Sequence, residues 1–105
     1  MILEMRTYTL HPGKMAEYWG HYAEGGFAAQ DPRLAHHLVG YFQSDLGTLN
    51  QVVHLWGFES LADMETRRNA RDADPAWQDY LERSEGLVVT QENKLARPTE
   101  FSGIR

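Results

Sequence analysis

The sequence predicts an α+β domain, a four-stranded antiparallel sheet carrying helices, in the order β-α-β-β-α-β. Three observations predict it. Residues 38–58, LVGYFQSDLGTLNQVVHLWGF, read as two strands about a turn. Residues 2–10 and 87–95 read as further strands near the two ends. Between strands, Met15, Tyr18, Trp19 and Tyr22, and later Trp77, Tyr80 and Leu81, recur at helical spacing.

The first strand alternates, with Leu3, Met5 and Thr7 on one side and Glu4, Arg6 and Tyr8 on the other. His11-Pro12-Gly13 ends it, and Pro12 suits the first turn of the helix that follows. Gly25-Gly26 is the expected stop of that helix, which leaves residues 27–33 as a connector.

The central hairpin has turn chemistry at Asp45-Leu46-Gly47-Thr48. A two-residue loop at Gly47-Thr48 sets Tyr41 opposite His54, Phe42 opposite Val53 and Val39 opposite Trp56. Side chains alternate along a strand. One face then holds Val39, Tyr41, Gln43, Val52, His54 and Trp56, and the other Leu38, Gly40, Phe42, Val53, Leu55 and Gly57. The second, small and aliphatic, is expected to lie under the helices, with Leu55 buried there.

Ser60 is a candidate N-cap with Asp63 three residues on, opening a helix to about Ala70 whose inward stripe is Leu61, Met64 and Arg68. Arg67, Arg68 and Arg71 read as a solvated helix end. Asp74-Pro75 opens the next helix and Gly86 stops it. The last strand follows, then a tail from Arg97-Pro98.

Strand pairing and right-handed crossovers place the first and third strands centrally with helices on one face, the ferredoxin-like arrangement. The other face, expected to carry Tyr8, Tyr41, Val52, His54 and Trp56, is too apolar to stand in water. A second copy is the simplest cover, giving a homodimer in the form of a dimeric α+β barrel.

The chain has 105 residues, the size of one domain. Its formal net charge of -5 argues against nucleic-acid and anionic-membrane binding. The absence of cysteine removes disulfides, thiolate chemistry and Cys-bound metals. No apolar run approaches the roughly 18 residues of a membrane-spanning helix. The opening MILEMRTYTL lacks the basic start and long apolar stretch of a signal peptide, so a cytoplasmic location is expected.

The constellation with most chemistry is Arg6, Tyr8, Tyr41, His54 and Trp56. Tyr41 beside His54 reads as a catalytic proton donor–acceptor pair. Arg6 suits an anionic group, Tyr8 and Trp56 complete a substrate-binding wall, and Glu92 is a candidate base or partner for Arg6. The competing reading makes His54 a satisfied interior histidine and pairs Arg6 with Glu4 or Glu92. His11, His21, His36 and His37 lack ligand spacing, so no metal and no cofactor are expected.

The opening EMRTYTLHPGK, the segment LNQVVHLWGFESLADMETRRNARDADPAW and the ending TQENKLARPTEF together resemble the NIPSNAP family over nearly the whole chain. The resemblance implies a ferredoxin-like domain assembling as a dimeric α+β barrel, and it brings no settled reaction. Related barrels include cofactor-independent monooxygenases, heme-degrading enzymes and isomerases, an analogy of fold alone. The resulting expectation is metal-free chemistry on, or binding of, a small-molecule ligand in the barrel cavity. The alternative is a non-catalytic interaction or scaffold module.

Overall fold

The computed structural model describes residues 1–30 and 37–105. Strand β1 (Ile2–Leu10) leads through a turn at Pro12-Gly13 into helix α1 (Met15–His21). A π-helical turn (Tyr22–Gly26) and a short α2 (Phe27–Gln30) continue it. The hairpin strands are β2 (Leu38–Gln43) and β3 (Gln51–Phe58). Helices α3 (Leu61–Asp72) and α4 (Pro75–Arg83) then precede β4 (Val88–Ala96). The four strands form one antiparallel sheet in the order β2-β3-β1-β4, with the first and third strands central as expected.

Helix starts and stops follow from the sequence. The Ser60 hydroxyl accepts the Asp63 N–H at 3.1 Å, and the Asp63 carboxylate accepts the Glu59 N–H at 3.1 Å, a reciprocal cap for α3. Asp74 accepts the Ala76 N–H at 2.9 Å, with Pro75 in the first turn of α4. The glycines at 25 and 26 do not stop the first helix. They sit inside the π-helical turn, and the helical path runs on to Gln30. Of the expected connector, residues 27–30 are therefore helical, and 31–33 lie outside the described residues together with His36.

The hairpin keeps the expected pairing of Tyr41 with His54 and Phe42 with Val53, but with a six-residue loop, 45–50, in place of two residues. Ser44 and Gln51 close the ladder: the Ser44 N–H donates to the Gln51 carbonyl at 2.8 Å, and the Gln51 N–H donates to the Ser44 hydroxyl at 3.0 Å. Asn50 adopts positive φ, which turns its carbonyl to the Leu10 N–H of β1 at 2.7 Å. A bulge between Leu38 and Gly40 sets Leu38, not Val39, opposite Trp56. Leu38 consequently packs against Trp56 and Phe58 beneath the helices, and Val39 is left exposed.

The two sheet faces are the reverse of the sequence expectation. Val52, His54, Trp56 and Phe58 are buried on the helix side, with Ile2, Glu4 and Leu10 from β1. Leu55 is only half-buried, and Phe42 (56% exposed) and Met5 (37%) lie on the open face beside it. The reason lies in the helices. Their inward stripe is aromatic and phenolic, from Tyr18, Tyr22, Trp77 and Tyr80, and it packs edge-on against Tyr41 and neighbouring rings. A tall, partly polar stripe matches the tall, partly polar sheet face. Of the expected inward residues on α3, Met64 and Arg68 do turn in and Leu61 is 51% exposed.

Candidate functional site

Between the sheet and the helices lies a cavity of about 430 Å³, within the range of small-molecule sites. Every helix and strand supplies part of its wall, α2 through Gln30. Strand alternation aims Arg6 and Tyr8 of β1, Tyr41 of β2, and His54 and Trp56 of β3 into it. Spacings of four and three bring Met64, Arg68 and Arg71 of α3 onto one helix face. Met64 packs on the core, and the two arginines line the cavity.

His54 is the most constrained group there. Its ring stacks on Tyr41 with centroids 4.4 Å apart, and Tyr8 meets it edge-on at 4.8 Å. The Trp56 indole N–H donates to His54 Nδ1 at 2.7 Å. Nδ1 is thus the acceptor, and the neutral ring carries its proton on Nε2. That nitrogen is buried with no protein partner among the described residues. Burial, then the charges of Arg6 and Arg71, push the His54 pKa down to about 3, so the ring is neutral at physiological pH.

Tyr41 cannot exchange a proton with His54 in this arrangement, because the rings lie face to face. Its hydroxyl is paired instead with that of Tyr18. Burial, followed by the neighbouring Tyr18, raises the Tyr41 phenol far above its usual range. Tyr18 and Tyr22 are raised for the same leading reason, and Tyr80 is pushed up to about 12. The wall is therefore made of neutral phenols. The donor–acceptor pair expected from the sequence is replaced by a stacked pair in which His54 is a hydrogen-bond donor.

Three guanidinium groups border the cavity. Arg68 pairs with the buried Glu4 carboxylate, which also takes Arg6 at 3.4 Å and the Asn93 amide at 2.8 Å. Arg71 pairs with Asp72 at 2.9 Å and lies over the Trp77 ring at 4.6 Å. Arg6 lies over Tyr8 at 5.4 Å. Two carboxylates against three guanidiniums leave one positive charge in excess. The Nε donors of Arg6 and Arg68 are buried without a protein hydrogen bond among the described residues. Burial, then the nearby Arg71 charge, lowers the Arg68 pKa to about 10, as an electropositive pocket does.

Five of the six site residues expected from sequence, Arg6, Tyr8, Tyr41, His54 and Trp56, do come together. The sixth, Glu92, pairs with Thr7 and so lies on the open face of the sheet; its neighbour Asn93 takes the position beside Arg6. Arg6 is indeed paired with Glu4, as the competing reading had it. Arg68 and Arg71 are not a solvated helix end, since their side chains are only 15% and 13% exposed. The 64-68-71 spacing carried that signal. Among the described residues no three His, Asp or Glu side chains converge to hold a metal ion, and no helix is long and apolar enough to cross a membrane.

The NIPSNAP family profile matches residues 3–103. NipSnap homolog 2 of Danio rerio is 32% identical over 104 residues, covering 99% of this chain and 35% of that protein. The chain thus spans about a third of that relative. A solved NIPSNAP family protein with unknown function from Agrobacterium tumefaciens superposes with a TM-score of 0.94 at 38% identity, covering 100% of this chain and 94% of that one. The fold alone is shared with a putative antibiotic biosynthesis monooxygenase of Nitrosomonas europaea, with a TM-score of 0.64 at 7% identity, covering 93% and 98% of the two chains.

Proposed function

The chain belongs to the NIPSNAP family, and on that premise we propose that its cavity between sheet and helices binds a small organic anion with an apolar or aromatic body. The observation that carries this reading is the excess of buried guanidinium over carboxylate around one end of the cavity, facing a wall of neutral phenols. A buried cation without a full set of partners favours an anion, and aromatic edges favour a ring. Any chemistry there uses side chains alone, with His54 and the arginines stabilising charge and no metal required. A general base is not supplied by His54, whose Nδ1 lone pair is taken up by Trp56. A thermal-shift screen of small aromatic acids tests this. At least one acid should raise the melting temperature, and Arg71→Gln and Arg6→Gln should each weaken its binding by about tenfold or more. Failure of every acid to shift the wild type would leave the interaction-module reading.

That second reading has its own support in the open sheet face, where Met5, Phe42, Val53 and Leu55 form an apolar surface. A second copy packed there gives the dimeric α+β barrel that the family resemblance implies. The dimer and the ligand site are compatible, since they use opposite faces of the sheet. A cytoplasmic location is part of the same proposal.

A further inference from the structure

We propose that His54, held by Trp56 as an Nε2–H donor, selects organic acids that carry a second oxygen acceptor next to the carboxylate, that is, 2-oxo acids, whose carboxylate is held by Arg6 and Arg71. The inference deepens the anion-site reading and rests on it. Its starting point is the His54 Nε2 proton, which is buried and without a protein partner among the described residues, on a ring that lines the cavity. A buried donor left unpaired costs free energy, and a ligand acceptor removes that cost. The donor cannot become an acceptor without turning two N–H groups against each other, because the Trp56 indole already donates to Nδ1 at 2.7 Å. The ring cannot swing away either, since it is stacked on Tyr41 and abutted by Tyr8.

The spacing selects the ligand. Arg6 is the cross-strand partner of His54, and such side chains start about 5 Å apart at Cβ. The Arg6 guanidinium and the His54 ring also both touch Tyr8. Two donor sets so close together suit two oxygen functions on adjacent carbons, a carboxylate and the carbonyl beside it. The charged and titratable groups that line the cavity with His54 are Arg6 and Tyr8 from β1, Tyr41 from β2, Tyr18 from α1, Tyr22 from the π-helical turn, Arg68, Arg71 and Asp72 from α3 and Tyr80 from α4. The Asp72 carboxylate is paired with Arg71 at 2.9 Å and the others are cationic or phenolic, so no unpaired carboxylate draws a second proton onto the imidazole.

The test uses a matched pair of probes, 2-oxo-3-phenylpropanoate and 3-phenylpropanoate, which differ only by the oxo oxygen. Calorimetry on the wild type should show the oxo acid bound about tenfold more tightly, the worth of one hydrogen bond to a buried donor. His54→Leu should bring that ratio to about one, and His54→Gln, whose amide N–H reaches a similar position, should restore part of it. Trp56→Phe keeps the imidazole but frees Nδ1, so the ratio should fall and a histidine titration should move upward. Nitrogen NMR of the histidines in the ligand-free wild type gives a readout that does not depend on the variants folding. It should show His54 with its proton on Nε2 and no titration between about pH 8 and 5. A proton on Nδ1, a titration in that window, or equal affinity for the two acids in the wild type overturns the inference. Equal affinity leaves the anion site standing, whereas binding of neither acid overturns both readings.

Discussion

A neutral imidazole in a cationic pocket makes the protein's stability depend on pH in a window of its own. His54 holds a pKa of about 3 in the fold against 6.5 for a free histidine. The unfolded chain therefore takes up a proton at His54 as pH falls through about 6.5, and the folded chain does not until about 3. The sign is fixed by that difference: the contribution is full above pH 6.5 and is lost progressively as pH falls toward 3, at a slope of up to about 1.4 kcal/mol per pH unit. The upper part of this window, above about pH 5, lies clear of the range in which ordinary carboxylates titrate. Urea melts of the wild type and His54→Gln at pH 7, 6 and 5 should show the wild type losing stability faster than the variant. Parallel pH dependences would mean that the ring is protonated in the fold. Arg68 is the second residue with a large role, because it pairs with a fully buried Glu4. Arg68→Met should cost about 3–5 kcal/mol in the same melts, the cost of leaving a buried partner uncompensated. A loss below 1 kcal/mol would show that Arg6 and Asn93 satisfy Glu4 without it.

The π-helical turn is what carries the first helix past its two glycines. Gly26 lies against the rings of Tyr22 and Tyr80, where an added Cβ would come within 2.6 and 2.7 Å. No side chain fits there without moving an aromatic wall of the cavity, so Gly26→Ala should cost about 1–3 kcal/mol as overpacking. Gly20, in α1, has nothing within 4 Å of an added Cβ. Gly20→Ala should accordingly be neutral or stabilising by up to about 1 kcal/mol, from helix propensity alone. Thermal melts of the pair separate packing from propensity. Equal effects of the two substitutions would mean that the turn relaxes around the new methyl. The same element explains an unmet expectation. Gly-Gly predicts a helix stop because glycine readily takes left-handed φ, but here Gly26 provides clearance for the rings of Tyr22 and Tyr80, and Gly25 for the Arg83 guanidinium.

At the scale of the whole molecule, the open sheet face decides assembly. Leu55, expected under the helices, instead stands half-buried on the solvent side with Met5 and Phe42. If a second copy covers that face, light scattering coupled to size exclusion should give twice the 12.1 kDa chain mass at micromolar concentration. Leu55→Lys should then release a monomer while leaving the cavity ligand-competent. A wild-type monomer of 12.1 kDa would remove the barrel assembly. The placement of Leu55 also revises the effect expected of truncating it: Leu55→Ala removes interface contacts and not helix-packed core, so its effect should grow with protein concentration.

The order of elements, the antiparallel pairing of Tyr41 with His54, the Ser60 and Asp74 caps and the family were all legible in the sequence, because each rests on local spacing or near-neighbour chemistry. Arg6, Tyr8, Tyr41, His54 and Trp56 were legible as one group for the same reason, since alternation along a strand fixes which residues share a face. Alternation does not say which face the helices cover. That was decided by tertiary packing, where the tyrosines of the helices meet the tall face of the sheet and leave the aliphatic face outside. Register was fixed by contacts across the chain as well, with the bulge at Val39 turning Leu38 inward and Glu92 placed beside Thr7 on the open face. Arg68 and Arg71 changed from apparent solvent charges to cavity walls once the buried Glu4 and the Trp77 ring stood opposite them. For Arg68 that partner is a carboxylate which the linear sequence places far away, on β1.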